Sequence, residues 1–502
     1  MLEEPKKLIK MLTIQTATNT KNKVKHIISS IERLDELVVV TDNKLVTNNK
    51  IIYIENGKIR NTLAWHDTEP PFLFPEIQFS PANLLAFVFY KLGNHQKAFE
   101  YISAHDKLYN HLLIATNLQF GYKILQQLYA ETLEKSLHNA CVIQHYGILQ
   151  DRYDITELKK LYQKAIANAE NDELKIFTAK HYTNLLLDSN AFKEAEDVIR
   201  SLEGKAISDE AKNALNVQLA SALMAQLSVP YNENTLDVIL NLLEKSIAFY
   251  ENKNLKVNAG LLLIDASEIA NFKNDFIGSK ELITRAIRYF KEENITEFLG
   301  EAMLRKATLL YTWSKNGSPQ YYKPAINAFQ DTLKVFKRDT HPQKFADIHH
   351  NLALIYSEIP VASEEKPIWT AFCASSFKEA LQFYTKENYP YEYAMASHNY
   401  ATALMNFPKA KMHNNLDKAA QLFEEALTVR TVEKYPFERA LTLLNLLELG
   451  WLTHNEDSSE ERKKYEQMHK IIKEIKTLVT DENLIRQANN HLEQLEQLKT
   501  VL

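Results

Sequence analysis

The stretch that decides the fold is residues 377–399, which read FKEALQFYTKENYPYEYAMASHN. Residues 329–351 read FQDTLKVFKRDTHPQKFADIHHN, and residues 423–445 read FEEALTVRTVEKYPFERALTLLN. Each begins with Phe, has Leu four residues on and Pro nine beyond that, and then Ala after four residues and Asn after five more. The prolines lie 48 and then 46 residues apart. A repeat of this size indicates stacked supersecondary units that bury their cores against their neighbours, and such arrays usually serve as binding surfaces.

The composition of the chain favours an all-α protein. Its 502 residues include 10 glycines and 14 prolines, both well below the usual roughly 7% and 5%. Long helices need little of either, because interior Gly and Pro destabilise them. The formal net charge is −5, with 59 basic and 64 acidic residues, so the overall basic surplus typical of a nucleic-acid-binding domain is missing.

The cysteines and the apolar segments bear on the compartment. Two cysteines, Cys141 and Cys373, cannot make a disulfide framework, which favours a reducing environment. Both lie in apolar or small-residue surroundings, so we expect inert, buried thiols. The beginning of the sequence shows no apolar run of signal-peptide length, and no window approaches 18 uncharged apolar residues. The sequence therefore predicts a soluble, cytoplasmic protein.

Four regions are predicted along the chain. They are a helix-plus-hairpin region at 1–65, a proline-rich linker at 66–81, a helical array at 82–456 and charged capping helices at 457–502. In the first region, helical spacing of Leu8, Met11 and Leu12, and again over residues 24–31, predicts two helices. Asn56-Gly57 between β-branched runs then predicts a hairpin in what we expect to be the only sheet.

The linker and the C-terminal helices carry more specific expectations. Residues 66–81 are too apolar to float free, so we expect them to pack on the first helical pair. The alternative is that they lie in the groove of the array as an internal plug. At the C-terminal end, Ser458-Ser459 and Thr480-Asp481 are the predicted N-caps of the two capping helices.

The repeated units resemble the tetratricopeptide repeat. Asn351-Leu352-Ala353 with Tyr356 looks like the first helix of that repeat. The second helix is represented by Ala325, Phe329 and Leu333, by Cys373, Phe377 and Leu381, and by Ala419, Phe423 and Leu427. Ala86, Phe89, Gly93 and Ala98 follow the same order more loosely near the start of the array. The period of 46–48 residues exceeds the usual value of about 34, so the likeness is to a long-period variant found in bacterial multidomain proteins.

The resemblance implies a fold and a binding face. The expected fold is an all-α, right-handed α-α superhelix of helical hairpins, with a small mixed α/β segment at the N-terminus. The first helix of each hairpin would line a concave groove. The candidate peptide-binding residues on that face are His350, Asn351, His398, Asn399, Thr402, Asn445, Glu448 and Trp451.

The repeated asparagines have two possible uses. An Asn in each unit can hydrogen-bond the backbone of an extended peptide, which carries donors and acceptors at regular spacing. Alternatively, each Asn bonds to the adjacent repeat. The set of Lys and Arg residues that forms the family's peptide-carboxylate clamp is missing, so a C-terminal carboxylate tail is a poor ligand.

No catalytic, cofactor or metal site is predicted, because the sequence has no GxxxxGK[ST], GxGxxG, HExxH or CxxC motif. The leading hypothesis is a non-catalytic scaffold that binds a peptide or partner helix of unknown identity in the groove. A second is a regulator in which residues 1–65, loosely resembling a winged helix, bind nucleic acid or a partner while the array senses a signal. The lysines that would contact phosphate are Lys6, Lys7, Lys10, Lys21, Lys23 and Lys25. A third is an enzyme with a site assembled in the groove.

Overall fold

The structure, a computed structural model, describes residues 12–43, 50–61, 63–66, 70–408 and 414–499. The chain divides into two compact units, one ending at Asn274 and the other beginning at Asp275. Within the described residues, none of the helices has the length and apolar character that a membrane span requires.

The first unit begins with a five-stranded mixed sheet. Its strands are β1 (Leu12–Thr16), β2 (Val38–Thr41), β3 (Lys50–Glu55), β4 (Lys58–Asn61) and β5 (Ile77–Gln78). The strand order is β2-β1-β3-β4-β5, with β1 parallel to both of its neighbours and the β3–β4 and β4–β5 pairs antiparallel. Helices α1 (Thr18–Ser29) and α2 (Leu34–Leu37) connect β1 to β2.

The N-terminal expectations are partly confirmed. Asn56 and Gly57 have φ values of 51° and 73° and join β3 to β4 as a hairpin, as both turn positions require. The predicted helix over residues 24–31 is confirmed as α1. The helical interpretation of Leu12 is wrong, because Leu12 begins the interior strand β1, where its fully buried side chain contributes to the core under the sheet. Leu8 and Met11 lie outside the described residues, as do Lys6, Lys7 and Lys10.

The remaining helices of the first unit follow the sheet. They are α3 (Pro81–Lys91), α4 (His95–Glu100), α5 (Lys107–Phe120), α6 (Gln126–Lys135), α7 (Leu137–Tyr146), α8 (Ile155–Ala167), α9 (Asp172–Asp188), α10 (Phe192–Arg200), α11 (Asp209–Met224), α12 (Glu233–Asn252) and α13 (Lys256–Phe272). From α6 to α13 each helix packs against the next, and α9 also contacts α11. Packing of each helix on its neighbours in the chain is the arrangement that a helical repeat array requires.

The second unit is built from helices. They are α14 (Phe276–Glu292), α15 (Thr296–Lys315), α16 (Tyr322–Thr332), α17 (Pro342–Glu358), α18 (Lys366–Phe383), α19 (Pro390–Met405), α20 (Asn415–Val429), α21 (Pro436–Leu452), α22 (Ser458–Leu478) and α23 (Glu482–Lys499), with a 3-10 turn at Pro319–Tyr321. Each helix packs against the next along the chain. In addition α17 contacts α19, α19 contacts α21, and α21 contacts α23. These four helices form a continuous set, called here the first-helix row.

The repeated residues of the sequence mark this packing. Pro342, Pro390 and Pro436 are the first residues of α17, α19 and α21, where the missing N–H of proline has no intrahelical partner to lose. Phe329, Phe377 and Phe423 of the preceding helices are fully buried. So are the small residues of the same helices, Ala325, Cys373 and Ala419. The repeat therefore describes where helices start and how neighbouring helices pack.

The two C-terminal helices complete the core of the second unit. Ile472 and Ile475 of α22 and Leu495 of α23 are buried in one cluster with Leu443 and Leu447 of α21. The N-cap prediction for α23 agrees with a 2.9 Å bond from the Leu484 N–H to Asp481 Oδ1. For α22 it is off by one residue, because Asp457, not Ser458, caps the helix. The carboxylate of Asp457 accepts from the backbone N–H groups of Ser459 and Glu460.

The fold class predicted from the sequence is confirmed. Both units are helical arrays, and the mixed sheet at the N-terminus is the small α/β segment that was expected. One boundary needs correction, because Ile77–Gln78 of the linker pairs with β4 and closes the sheet. The linker is therefore also part of the N-terminal region.

Candidate functional site

The eight candidate residues all lie on three helices of the first-helix row. His350 and Asn351 are on α17, His398, Asn399 and Thr402 are on α19, and Asn445, Glu448 and Trp451 are on α21. Because α19 contacts both α17 and α21, these side chains form one connected surface, within which two different environments occur.

The first environment is a set of hydrogen bonds between neighbouring helices, called here the amide ladder. Asn399 Nδ2 lies 3.0 Å from His350 Nε2, which joins α19 to α17. Asn445 Nδ2 donates to Thr402 Oγ1 at 2.8 Å and lies 3.4 Å from His398 Nε2, which joins α21 to α19. These two asparagines therefore bond to the adjacent repeat, which is the second of the two uses considered for the repeated asparagines.

Asn351 and the two histidines complete this picture. Asn351 Nδ2 donates to the Asp347 backbone oxygen of its own helix at 2.8 Å. Burial lowers the pKa of His350 to about 4 and that of His398 to about 3, so both rings are neutral at pH 7. A neutral His350 can accept at Nε2, which fits an amide N–H from Asn399.

The second environment is a cavity of about 630 Å³ between α19, α21 and α23. Its lining residues are Thr402, Met405, Asn406, Glu448, Trp451, Leu452, His491, Gln494 and Leu498. Three of the eight candidate residues, Thr402, Glu448 and Trp451, are therefore brought together at one opening. A cavity of this volume lies within the range of small-ligand and side-chain pockets.

One side of the cavity was missed by the sequence reasoning. His491, Gln494 and Leu498 come from α23, which was interpreted only as a polar cap. Their spacing of three and four residues places them on one helical face, and this is the signal that could have found them. The Trp451 indole N–H donates to His491 Nδ1 at 3.0 Å, which fixes the indole against α23. Burial lowers the pKa of His491. The hydrogen bond agrees with a neutral ring, because Nδ1 must be unprotonated to accept the indole N–H.

The first unit holds an extended segment of its own chain on its helices. This segment is residues 70–79, called here the strap. The Leu73 N–H donates to Asn139 Oδ1 at 2.8 Å, and Asn139 Nδ2 donates back to the Leu73 carbonyl oxygen at 2.8 Å. Next to it, His138 Nε2 donates to the Pro71 carbonyl oxygen at 2.9 Å. Helix α7 thus satisfies three backbone groups of the strap with two side chains.

The strap side chains pack on further helices. The ring centroid of Phe74 lies 5.1 Å from that of Phe87 and 5.2 Å from that of Tyr90, both on α3. Phe72 is buried and faces His111 of α5 at 6.1 Å. The expected packing on the first helical pair is therefore present. Because contacts reach α5 and α7 as well, the strap lies across several helices of the unit.

Asn139 could not have been assigned from the sequence. It stands in the apolar run of α7 beside Cys141, and both residues are almost fully buried. A buried Asn in such a run needs partners, but nothing local indicates that the partners are backbone atoms of the strap.

Other chemistry within the described residues is limited. No group of three His, Cys, Asp or Glu side chains in that part of the chain is arranged to hold a metal ion. Cys141 and Cys373 are free and buried. Burial raises the pKa of Cys373 to about 12 and raises the pKa of Cys141 as well, so neither thiol ionises near pH 7.

The N-terminal region does not have the arrangement on which the winged-helix resemblance was based. Strand β1 precedes α1 and pairs in parallel with β2 and β3, so the region is a mixed sheet and not a set of helices followed by a hairpin. Lys21 forms an ion pair with Asp42 at 2.6 Å. The Lys23 ammonium lies 5.3 Å from the centroid of the Phe79 ring. Two of the lysines expected to contact phosphate therefore have partners within the protein.

Comparisons with known proteins leave the family open. No protein-family model matches the chain, and no curated protein matches it. Among solved structures, yeast Tom70 is similar at 14% identity over 84% of this chain and 96% of that chain, with a TM-score of 0.23. A circular tandem repeat protein with a novel repeat topology is similar at 12% identity over 83% and 88%, with a TM-score of 0.19. At these scores neither likeness supports an argument about fold or function.

Proposed function

We propose that this chain is a non-catalytic interaction scaffold that binds an extended peptide segment of a partner protein along the first-helix row. The strap is the observation that carries the proposal. It is an extended stretch of polypeptide whose Leu73 N–H and C=O groups and Pro71 C=O group are bonded by Asn139 and His138, and whose phenylalanines pack on α3 and α5. A helix surface that holds its own chain in this way can hold a partner chain by the same interactions.

The second unit offers a comparable surface without such a segment on it in the described part of the chain. The first-helix row offers the cavity, while the amide nitrogens of Asn399 and Asn445 bond to the neighbouring helices. Glu448, Asn406 and Gln494 are exposed at this cavity, so a bound segment can reach them. The amide ladder keeps the three helices in register, which pre-organises the surface for a ligand.

We also propose a repeat type and a compartment for the chain. The arrangement of paired helices that begin at repeated prolines supports assigning the array to the long-period tetratricopeptide type. The two buried free thiols support a reducing compartment and hence the cytoplasm. The partner is defined by its chemistry as a protein segment able to adopt an extended conformation.

Site-specific cross-linking tests the proposed function. A photoreactive benzoylphenylalanine is placed at Gln494, in the cavity lining, and separately at Glu424, an exposed position on α20 outside that lining. We expect the Gln494 probe to cross-link one partner in host cells, with the adduct mapped by mass spectrometry to a single segment of that partner. The Glu424 probe should give no such adduct. Equal labelling at both positions, or no adduct at Gln494, would contradict the proposal.

A further inference from the structure

The cavity on the first-helix row has a distinct charge. Among its lining residues Glu448 is the only one that carries a full charge at pH 7. Its carboxylate is exposed. His491 adds no positive charge, because its Nδ1 accepts the Trp451 N–H. The cavity therefore carries a net charge of about −1, supplied by one carboxylate.

The other walls suit the stem of a long side chain and its charged end. Met405, Leu452 and Leu498 supply aliphatic surface, and Trp451 supplies the type of aromatic ring that attracts cations most strongly. Asn406 uses its Nδ2 to donate to the Thr402 backbone oxygen at 3.2 Å, so the remaining polar atom of that amide is an acceptor. Lysine and arginine have an apolar stem that ends in donors only. An anionic side chain would instead be repelled by Glu448, because no positively charged side chain is among the lining residues.

We infer that this cavity is a subsite for a lysine or arginine side chain of the bound partner segment, held between the Trp451 indole and the Glu448 carboxylate. The inference rests on the proposed function, since it names the chemistry of one residue of the partner. It also predicts how partners are selected. Segments with a basic residue at the position that enters the cavity bind, and segments with an acidic residue there do not.

Defined peptides provide the test. The probes are acetyl-Ala-Ala-Lys-Ala-Ala-amide and the same peptide with norleucine, which keeps the aliphatic stem and lacks the amine. Binding to the full chain is followed by the indole N–H signal of Trp451 in protein labelled with ¹⁵N-tryptophan. The four tryptophans are few enough that this signal is assigned by comparison with Trp451→Phe.

We expect the lysine peptide to shift the Trp451 signal with an affinity about tenfold higher than that of the norleucine peptide. Glu448→Gln should remove this difference, whereas Glu424→Gln, outside the cavity, should keep it. Equal affinity of the two peptides, no shift with either, or discrimination that survives Glu448→Gln would overturn the inference. Equal affinity would overturn only the subsite and would leave the proposed function standing. The proposed function is tested separately, by the cross-linking experiment.

Discussion

Asn139, Asn399 and Asn445 use the same side-chain amide in two ways. In the first unit, Asn139 bonds both polar backbone groups of Leu73. In the second unit, Asn399 and Asn445 bond side chains of the neighbouring helix. An amide carries both a donor and an acceptor, so the same residue type can hold a strap or hold two helices together. What decides between these uses is the group that the fold places opposite.

The amide ladder predicts a measurable contribution to stability. Asn399→Ala removes the donor to His350 and leaves a ring that is 7% exposed without that partner. The expected loss in the free energy of unfolding is about 1–2 kcal/mol, because a buried polar group without its hydrogen bond keeps its desolvation cost. Urea unfolding followed by circular dichroism measures it. Asn388→Ala, at an exposed position of the turn before α19, is the control and should change the value by less than about 0.5 kcal/mol.

At the scale of elements, the strap and α23 show how a segment gains a role from its neighbours. The strap has no regular hydrogen bonding of its own apart from β5, and its order comes from α3, α5 and α7. Helix α23 is amphipathic, with Leu495 in the core and His491 bonded to Trp451. It therefore serves both as the end of the array and as one wall of the cavity.

The strap prediction concerns the exchange of one backbone amide. In Asn139→Ala the Leu73 N–H loses its acceptor, so its hydrogen exchange should become faster by about 10- to 100-fold. Hydrogen exchange with mass spectrometry on a peptide that covers residues 70–79 measures this. Asn168→Ala is the matched control, because Asn168 bonds only the end of its own helix. If the strap exchanged equally in both variants, its order would not depend on the Asn139 amide.

At the scale of the whole chain, the sequence predicts the features that depend on local interactions and not those that depend on contacts between distant residues. The helix starts at Pro342 and Pro390 and the hairpin at Asn56-Gly57 could be predicted, because each depends on local backbone geometry. The interior position of β1 could not, since its parallel partners β2 and β3 come from distant residues. The spacing of His491, Gln494 and Leu498 marks one face of α23, but the placement of that face against Trp451 depends on how α23 packs on α21. Three residues of the cavity lining, Thr402, Glu448 and Trp451, were thus accessible from the repeat, and the α23 wall was not.

The buried histidines predict how the stability of the whole chain depends on pH. Burial lowers the pKa of His138 in the first unit and of His350 in the second to about 4, against about 6.5 for an unfolded histidine. The unfolded chain therefore binds protons that the folded chain does not bind between these values. The contribution of these histidines to stability should be constant above about pH 7 and should fall as the pH drops from about 6.5 to about 4, by about 1.4 kcal/mol per pH unit for each histidine.

Urea midpoints measured at pH 7.5, 6 and 5 check this expectation. His350→Gln should lower stability at pH 7.5 and also flatten its decline on acidification, because the titrating group is gone. His105→Gln, at an exposed position, should keep the wild-type pH dependence. Glu196 does not add to this decline, because the hydrogen bond from Arg200 holds the pKa of the Glu196 carboxyl at about 2. Its contribution to stability is lost only below about pH 4.5. A midpoint that stays constant from pH 7.5 to pH 5 would show that the buried rings accept protons without cost, and would contradict their placement in the core.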